Sequence, residues 1–76
     1  MSFEQVKEVM VETLNCEEED IKPEALLEDD LGIDSLDAVE LALALEELFG
    51  VKIPDEELSE MKTVKDIVDC MDRNRA

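Results

Sequence analysis

The sequence predicts a small all-α domain. Its 76 residues are enough for one domain, expected to span residues 1–76. Apolar residues recur at helical spacing in several segments, and these segments are bounded by residues typical of helix ends. The only aromatic residues are Phe3 and Phe49. The core must therefore be built from aliphatic side chains, which suits helices packed on helices.

Four segments are predicted to be helical. The first has Ser2 as a candidate N-cap, with Gln5 as its capping-box partner. Asp34 is a candidate N-cap for the second, and Thr63, with Asp66 three residues on, for the fourth. The expected helices cover about residues 2–15, 34–49, 54–60 and 63–73, and Gly50 ends the second. The buried stripe of the last helix is expected to be Val64, Ile67, Val68 and Met71.

A long connection, from about residue 16 to residue 33, joins the first two helices. Residues 17–20 are a run of acidic residues that we expect to be solvated. Loops of this length in a compact domain usually have a structural or functional reason. We therefore expect its apolar residues to lie across the helices: Ile21, Leu26, Leu27, Leu31 and Ile33.

The second helix has two apolar faces. At about 100° per residue, one face is an ordinary core stripe of Ala38, Leu41, Ala42, Leu45, Leu48 and Phe49. The opposite face carries Leu36, Val39 and Leu43, interleaved with Glu40 and Glu47. This pattern favours a partner-docking face, in which apolar side chains provide affinity and carboxylates provide steering. The alternatives are that these are ordinary exposed apolar residues, or that the helix is buried all round.

The formal net charge is −16 at pH 7, from 23 acidic and 7 basic residues. This charge argues against nucleic acid and anionic membranes as partners and favours proteins with basic patches. A disordered acidic chain is disfavoured because 45% of the residues are hydrophobic, and these residues are periodic.

Without a signal-like or membrane-spanning segment, the protein is expected to be cytoplasmic. Cys16 and Cys70 are expected to be free thiols, and with no histidine no specific metal site is predicted.

Ser35 is the first residue inside the second helix, after an approach that contains Gly32. Its hydroxyl should be exposed beside unpaired backbone N–H groups, which can hold a phosphate. The flanking Asp34 and Asp37 oppose an anion but could recruit a cation or basic residues. A catalytic serine needs a nearby base, which the sequence does not offer. Composition alone leaves open whether Ser35 is the attachment site of a phosphate-linked group or an ordinary residue in the first turn of the helix.

The motif Asp34-Ser35-Leu36 resembles the attachment motif of acyl carrier proteins. The resemblance extends from about residue 26 to residue 71, through DLGIDSLD at 30–37, VEL at 39–41, LEELF at 45–49, IPDEE at 53–57 and KTV at 62–64. It implies a four-helix bundle with a long loop between the first two helices and a short third helix. It also implies a 4′-phosphopantetheine arm on Ser35, flanked by Asp34 and Leu36.

This resemblance further implies a monomeric carrier rather than an enzyme. A phosphopantetheinyl transferase would load the arm from coenzyme A, and the carrier would present acyl thioesters to fatty-acid synthesis enzymes with basic docking patches. The docking residues would be Asp37, Val39, Glu40, Leu43 and Glu47. From the aliphatic pattern, the candidates for lining a space for an acyl tail are Ile33, Leu45, Phe49, Ile53, Leu58 and Met61. The alternative is that these residues only form the core. Where the family often has an aromatic residue late in the last helix, this chain has Cys70-Met71, so local packing there is open.

Three other functions compete with this interpretation. A carrier of polyketide, peptidyl or D-alanyl cargo would share the arm on Ser35. An acidic interaction domain would lack the prosthetic group altogether. A calcium-binding loop over residues 29–40 is disfavoured, since Leu31 and Ile33 occupy ligand positions and Asp34 stands where glycine is required.

Overall fold

A computed structural model describes residues 3–74 of the chain. Within this range it has no β-strand and forms a short 3-10 turn at Glu18–Asp20 and four α-helices: α1 (Phe3–Leu14), α2 (Ser35–Phe49), α3 (Asp55–Leu58) and α4 (Val64–Asn74). The prediction of a small all-α bundle with a long first loop and a short third helix is confirmed. The predicted N-cap at Ser2 lies outside the described residues.

The core lies between α1, α2 and α4, with α1 packed against both of the others. Met10, Leu45 and Met71, one from each helix, are almost fully buried at its centre. Within residues 3–74 no polar or charged side chain is buried. Phe3 and Phe49 pack only partly buried against the edge. The core is therefore aliphatic, as the scarcity of aromatic residues predicts.

Two capping boxes fix where α2 and α4 begin. At α2, the N–H of Asp37 donates to Asp34 Oδ1 (2.9 Å), and the N–H of Asp34 donates to Asp37 Oδ2 (3.4 Å). At α4, the N–H of Asp66 donates to Thr63 Oγ1 (3.2 Å), and the N–H of Thr63 donates to Asp66 Oδ2 (3.1 Å). Gly50 ends α2 in the left-handed conformation, with φ of 66°. These local signals explain why the predicted helix boundaries are close to the observed ones.

The long connection crosses the bundle, and its backbone is tied to the start of α4. The N–H of Leu27 donates to the carbonyl of Lys62 (2.8 Å), and the N–H of Val64 donates to the carbonyl of Ala25 (3.2 Å). Ile21, Leu27 and Ile33 are buried as expected, and Leu31 is half-buried. Leu26 also lies in the part of the connection that crosses the bundle, but its side chain is 40% exposed. It forms an extended bridge with Thr63 beside the buried Leu27, and neighbouring side chains on extended backbone point to opposite faces.

Two burial predictions within the helices differ from the structure. Leu48 is 63% exposed, not part of the core stripe. It lies about 60° around the helix from Leu45 and in the last turn of α2, which at 15 residues is the longest helix within 3–74. In α4, Cys70 is fully buried while Val68 is only partly buried against the core. The buried stripe of α4 is therefore centred between Ile67 and Met71, and Val68 lies at its edge, about 200° around the helix from Cys70.

Candidate functional site

The start of α2 presents Ser35 to solvent directly after a buried anchor. Ile33 is buried, and its N–H donates to the carbonyl of Leu27 (2.8 Å). Gly32 turns the chain just before it with φ of 66°, a conformation that favours glycine. Ser35 then begins α2 with an exposed side chain. The tight turn and the buried isoleucine hold the exposed serine at a defined place on the surface.

The electrostatics of this helix end are mixed. The N-terminal N–H groups of a helix carry partial positive charge and suit a phosphate or phosphodiester. The N–H of Asp37 is already taken by the Asp34 side chain. The carboxylates of Asp34 and Asp37 both lie within this capping box, flanking Ser35. A phosphodiester on the serine would thus have helix N–H groups on one side and acidic side chains beside it.

An open groove of about 410 Å³ leads away from Ser35 between α2 and α3. Deeper in the bundle lies an apolar cavity of about 30 Å³, enough for roughly one or two water molecules. The groove and the cavity share five lining residues: Leu27, Ile33, Ala38, Leu58 and Met61. The exposed serine is therefore connected along an apolar surface to a small space in the core.

The structure brings together most residues expected around such a space. Ile33, Leu45, Ile53, Leu58 and Met61 line the cavity. Phe49 is not part of its lining and lies at the edge of the core. Sequence reasoning missed five lining residues: Leu27, Ala38, Leu41, Ala42 and Ile67. Ala38, Leu41 and Ala42 lie on the predicted core face of α2, so that pattern could have indicated them.

The second face of α2 is exposed. Leu36 is 73% exposed, and Val39 and Leu43 are also large exposed apolar residues. Glu40 and Glu47 lie on the same face and are exposed too. The alternative that α2 is buried all round is therefore excluded. Carboxylates interleave with apolar side chains on a surface that begins one residue after Ser35.

Both cysteines are free. Cys16 is half-buried, and burial, with a smaller contribution from the nearby Asp37, raises the pKa of its thiol. Burial also raises the pKa of the Cys70 thiol.

Across residues 3–74, no group of three or more potential ligands is placed to hold a metal ion. In the same range, no helix is both long and apolar enough to cross a bilayer.

Comparison with known proteins identifies the family. Residues 4–71 match the family described as "Phosphopantetheine attachment site". The chain is 50% identical over 74 residues to a protein of Helicobacter hepaticus named "Acyl carrier protein", covering 97% of each chain. A protein of the same name from Wolinella succinogenes is 49% identical over 73 residues, covering 96% of each chain. The chain belongs to the acyl carrier protein family. The cofactor of this family is covalently attached 4′-phosphopantetheine.

Proposed function

We propose that the protein carries acyl chains as thioesters on a 4′-phosphopantetheine arm attached to Ser35. The observation that carries this proposal is an exposed serine at the start of α2, inside the family match and at the mouth of an apolar groove. The other serines fit less well. Ser2 precedes the matched region, and the hydroxyl of Ser59 donates to the carbonyl of Glu56 (3.0 Å).

The residues around Ser35 fit such a group. The N–H groups at the start of α2 favour the phosphate that joins the arm to the serine oxygen. The bound group supplies a terminal thiol at the end of a long arm, which raises the local concentration of cargo at a docked enzyme. The chain contributes position rather than catalysis, since it has no histidine to act as a base for Ser35.

The cavity supports sequestration of an acyl tail. Its lining is aliphatic, with Leu45 from α2, Leu58 from α3 and Ile67 from α4. At about 30 Å³ it is too small for an acyl chain without expansion. The lining side chains are apolar, so they can move apart without breaking hydrogen bonds between one another. We therefore propose that a tail enters from the groove and widens this space.

We propose that α2 is the docking surface for the partner enzymes. These are a phosphopantetheinyl transferase and fatty-acid synthesis enzymes with basic patches, all acting in the cytoplasm. A net charge of −16 attracts such partners over long range. Leu36, Val39 and Leu43 then provide apolar contact close to Ser35.

The attachment site is tested by loading the chain with coenzyme A and a phosphopantetheinyl transferase. The intact mass should increase by one phosphopantetheine group, and Ser35→Ala should abolish the increase. Ser59→Ala is the matched control, since this serine is also exposed beside the groove, and it should be loaded normally. Loading of Ser35→Ala, or loss of loading in Ser59→Ala alone, would contradict the proposal.

A further inference from the structure

The short helix α3 is joined to the last turn of α4 by one carboxylate. Arg73 Nη2 donates to Glu57 Oε1 (2.9 Å), and Asn74 Nδ2 lies 3.2 Å from Oε2 and 3.4 Å from Oε1 of the same carboxylate. The Cys70 thiol lies 3.7 Å from Oε1. Asn74 also donates to the carbonyl of Cys70 (2.9 Å). We call this group of Glu57, Cys70, Arg73 and Asn74 the Glu57 clasp.

The clasp adds to the few anchors of α3, which are the buried Ile53 just before it and Leu58, partly buried against the core. The helix has only four residues, and none of them is buried. Apolar burial therefore contributes less to its position than it does for α1, α2 or α4. Glu57 ties α3 to another helix: its side chain is 26% exposed, and its carboxylate has three hydrogen-bond partners on α4.

The residue after Glu57 faces the cavity. Leu58 lines both the groove that starts at Ser35 and the apolar cavity in the core. Displacement of α3 would therefore remove one wall from both spaces. We propose that the Glu57 clasp is a latch that holds α3 closed over the cavity, and that its release opens the cavity. The latch itself does not depend on a phosphopantetheine arm on Ser35. Only the conclusion that an acyl chain enters the opened cavity rests on the proposed function.

The electrostatics support a closed latch at neutral pH. The hydrogen bond from Arg73, followed by that from Asn74, holds the pKa of Glu57 below its ordinary value. The same contact raises the pKa of Arg73. Both groups are therefore charged, and their bond is charge-assisted. One exposed ion pair contributes little to stability by itself. Here Asn74 provides a second donor to the Glu57 carboxylate.

Cys70 provides a reporter inside the latch. Its side chain is fully buried, so a thiol reagent reaches it only when the structure opens. The experiment uses the unmodified protein in a Cys16→Ser background, with neutral iodoacetamide and mass spectrometry. Burial, and then the Glu57 carboxylate, raise the pKa of the Cys70 thiol, so rates are compared after correction for the thiolate fraction, read from the pH dependence of labelling. On this basis Glu57→Ala should raise the labelling rate of Cys70 by about fivefold. Glu56→Ala removes the same charge from an exposed neighbouring position of α3 and should leave the rate unchanged.

Two further measurements separate the latch from loss of the whole fold. Amide exchange at Met10 and Leu45, in the centre of the core, should rise much less than Cys70 labelling. Binding of the neutral apolar dye Nile red should increase in Glu57→Ala and not in Glu56→Ala. The proposal is overturned if Cys70 labelling does not change, if core exchange rises in step with it, or if dye binding stays the same. None of these outcomes depends on loading of Ser35.

Discussion

At the residue scale, Asp66 joins the loop before α4 to the helix itself. Its Oδ2 accepts hydrogen bonds from the N–H groups of Lys62 (2.9 Å) and Thr63 (3.1 Å). The bond from Lys62, and then those from Thr63, hold the pKa of Asp66 below its ordinary value although partial burial opposes them. Lys62 also accepts the bond from Leu27, so Asp66 supports the point where the long connection meets α4.

We predict that Asp66→Asn lowers the free energy of unfolding at pH 7 by about 1 kcal/mol. Because the folded-state pKa is lowered, the stabilisation is complete above the ordinary pKa of aspartate, about 3.9, and is lost as the pH falls through the folded-state value. The difference between wild type and variant should therefore shrink in acid. Urea unfolding at pH 7 and at a series of lower pH values measures it.

The matched control is Asp69→Asn, in the same helix. Asp69 forms a 3.5 Å pair with Lys65 on the surface and caps no backbone N–H in the hydrogen bonds of α4 described above, so its replacement should change stability little. An equal loss in both variants, or a loss in Asp66→Asn that is the same at every pH, contradicts the role assigned to Asp66.

At the scale of elements, local signals in the sequence predict the helices well. The Asp34 and Thr63 caps and the Gly50 stop act within a few residues, so they can be read directly from the sequence. The same holds for the exposure of Ser35, which follows from its place at the start of α2. Burial is harder to predict, because it depends on which other elements cover a side chain. Leu26 and Leu48 are apolar, but the surrounding elements leave both exposed.

Contacts between residues far apart in the sequence cannot be predicted from its local patterns. Glu57 and Arg73 are 16 positions apart, and no periodicity links α3 to the end of α4. The cavity is also formed by residues far apart in the sequence, since α2, α3, α4 and the long connection each supply part of its lining. Its position follows from how these elements converge, so the sequence pattern did not indicate Leu27, and Phe49 is not part of this lining.

For α2 as an element, we predict that Glu40→Lys slows loading by a basic phosphopantetheinyl transferase. Reversing one exposed charge next to Leu36 and Leu43 weakens the steering of the partner to this face. At low salt kcat/KM should fall by about tenfold. At 1 M salt, where the Debye length is about 3 Å, the difference should largely disappear.

Glu12→Lys on α1 is the control for net charge. Glu12 is exposed, and the substitution makes the same change in total charge on a different helix. We expect a much smaller effect on kcat/KM than for Glu40→Lys, with unchanged circular dichroism in both. Equal slowing by the two variants would mean that only total charge attracts the partner and that α2 is not its specific docking surface.

At the scale of the whole molecule, the excess of acidic residues opposes folding. Residues 3–74 extend over 30 Å in the longest dimension, and the net charge of the chain is −16. At 0.01 M ionic strength the Debye length is also about 30 Å, so carboxylates on opposite sides still repel one another. At 0.15 M it is about 8 Å, and only neighbouring charges interact. Unfolding separates the charges, so repulsion that spans the molecule destabilises the folded state.

We therefore predict that the Tm rises as sodium chloride increases from 0.01 to about 0.15 M. A variant with Glu17→Gln, Glu19→Gln and Asp20→Asn has a net charge of −13 and changes only exposed residues. It should melt at a higher temperature than wild type at low salt, and its Tm should depend less on salt. Calorimetry at both salt concentrations measures the two effects. If the variant and wild type have the same Tm at low salt, long-range repulsion does not limit stability, and the packing of the small aliphatic core does.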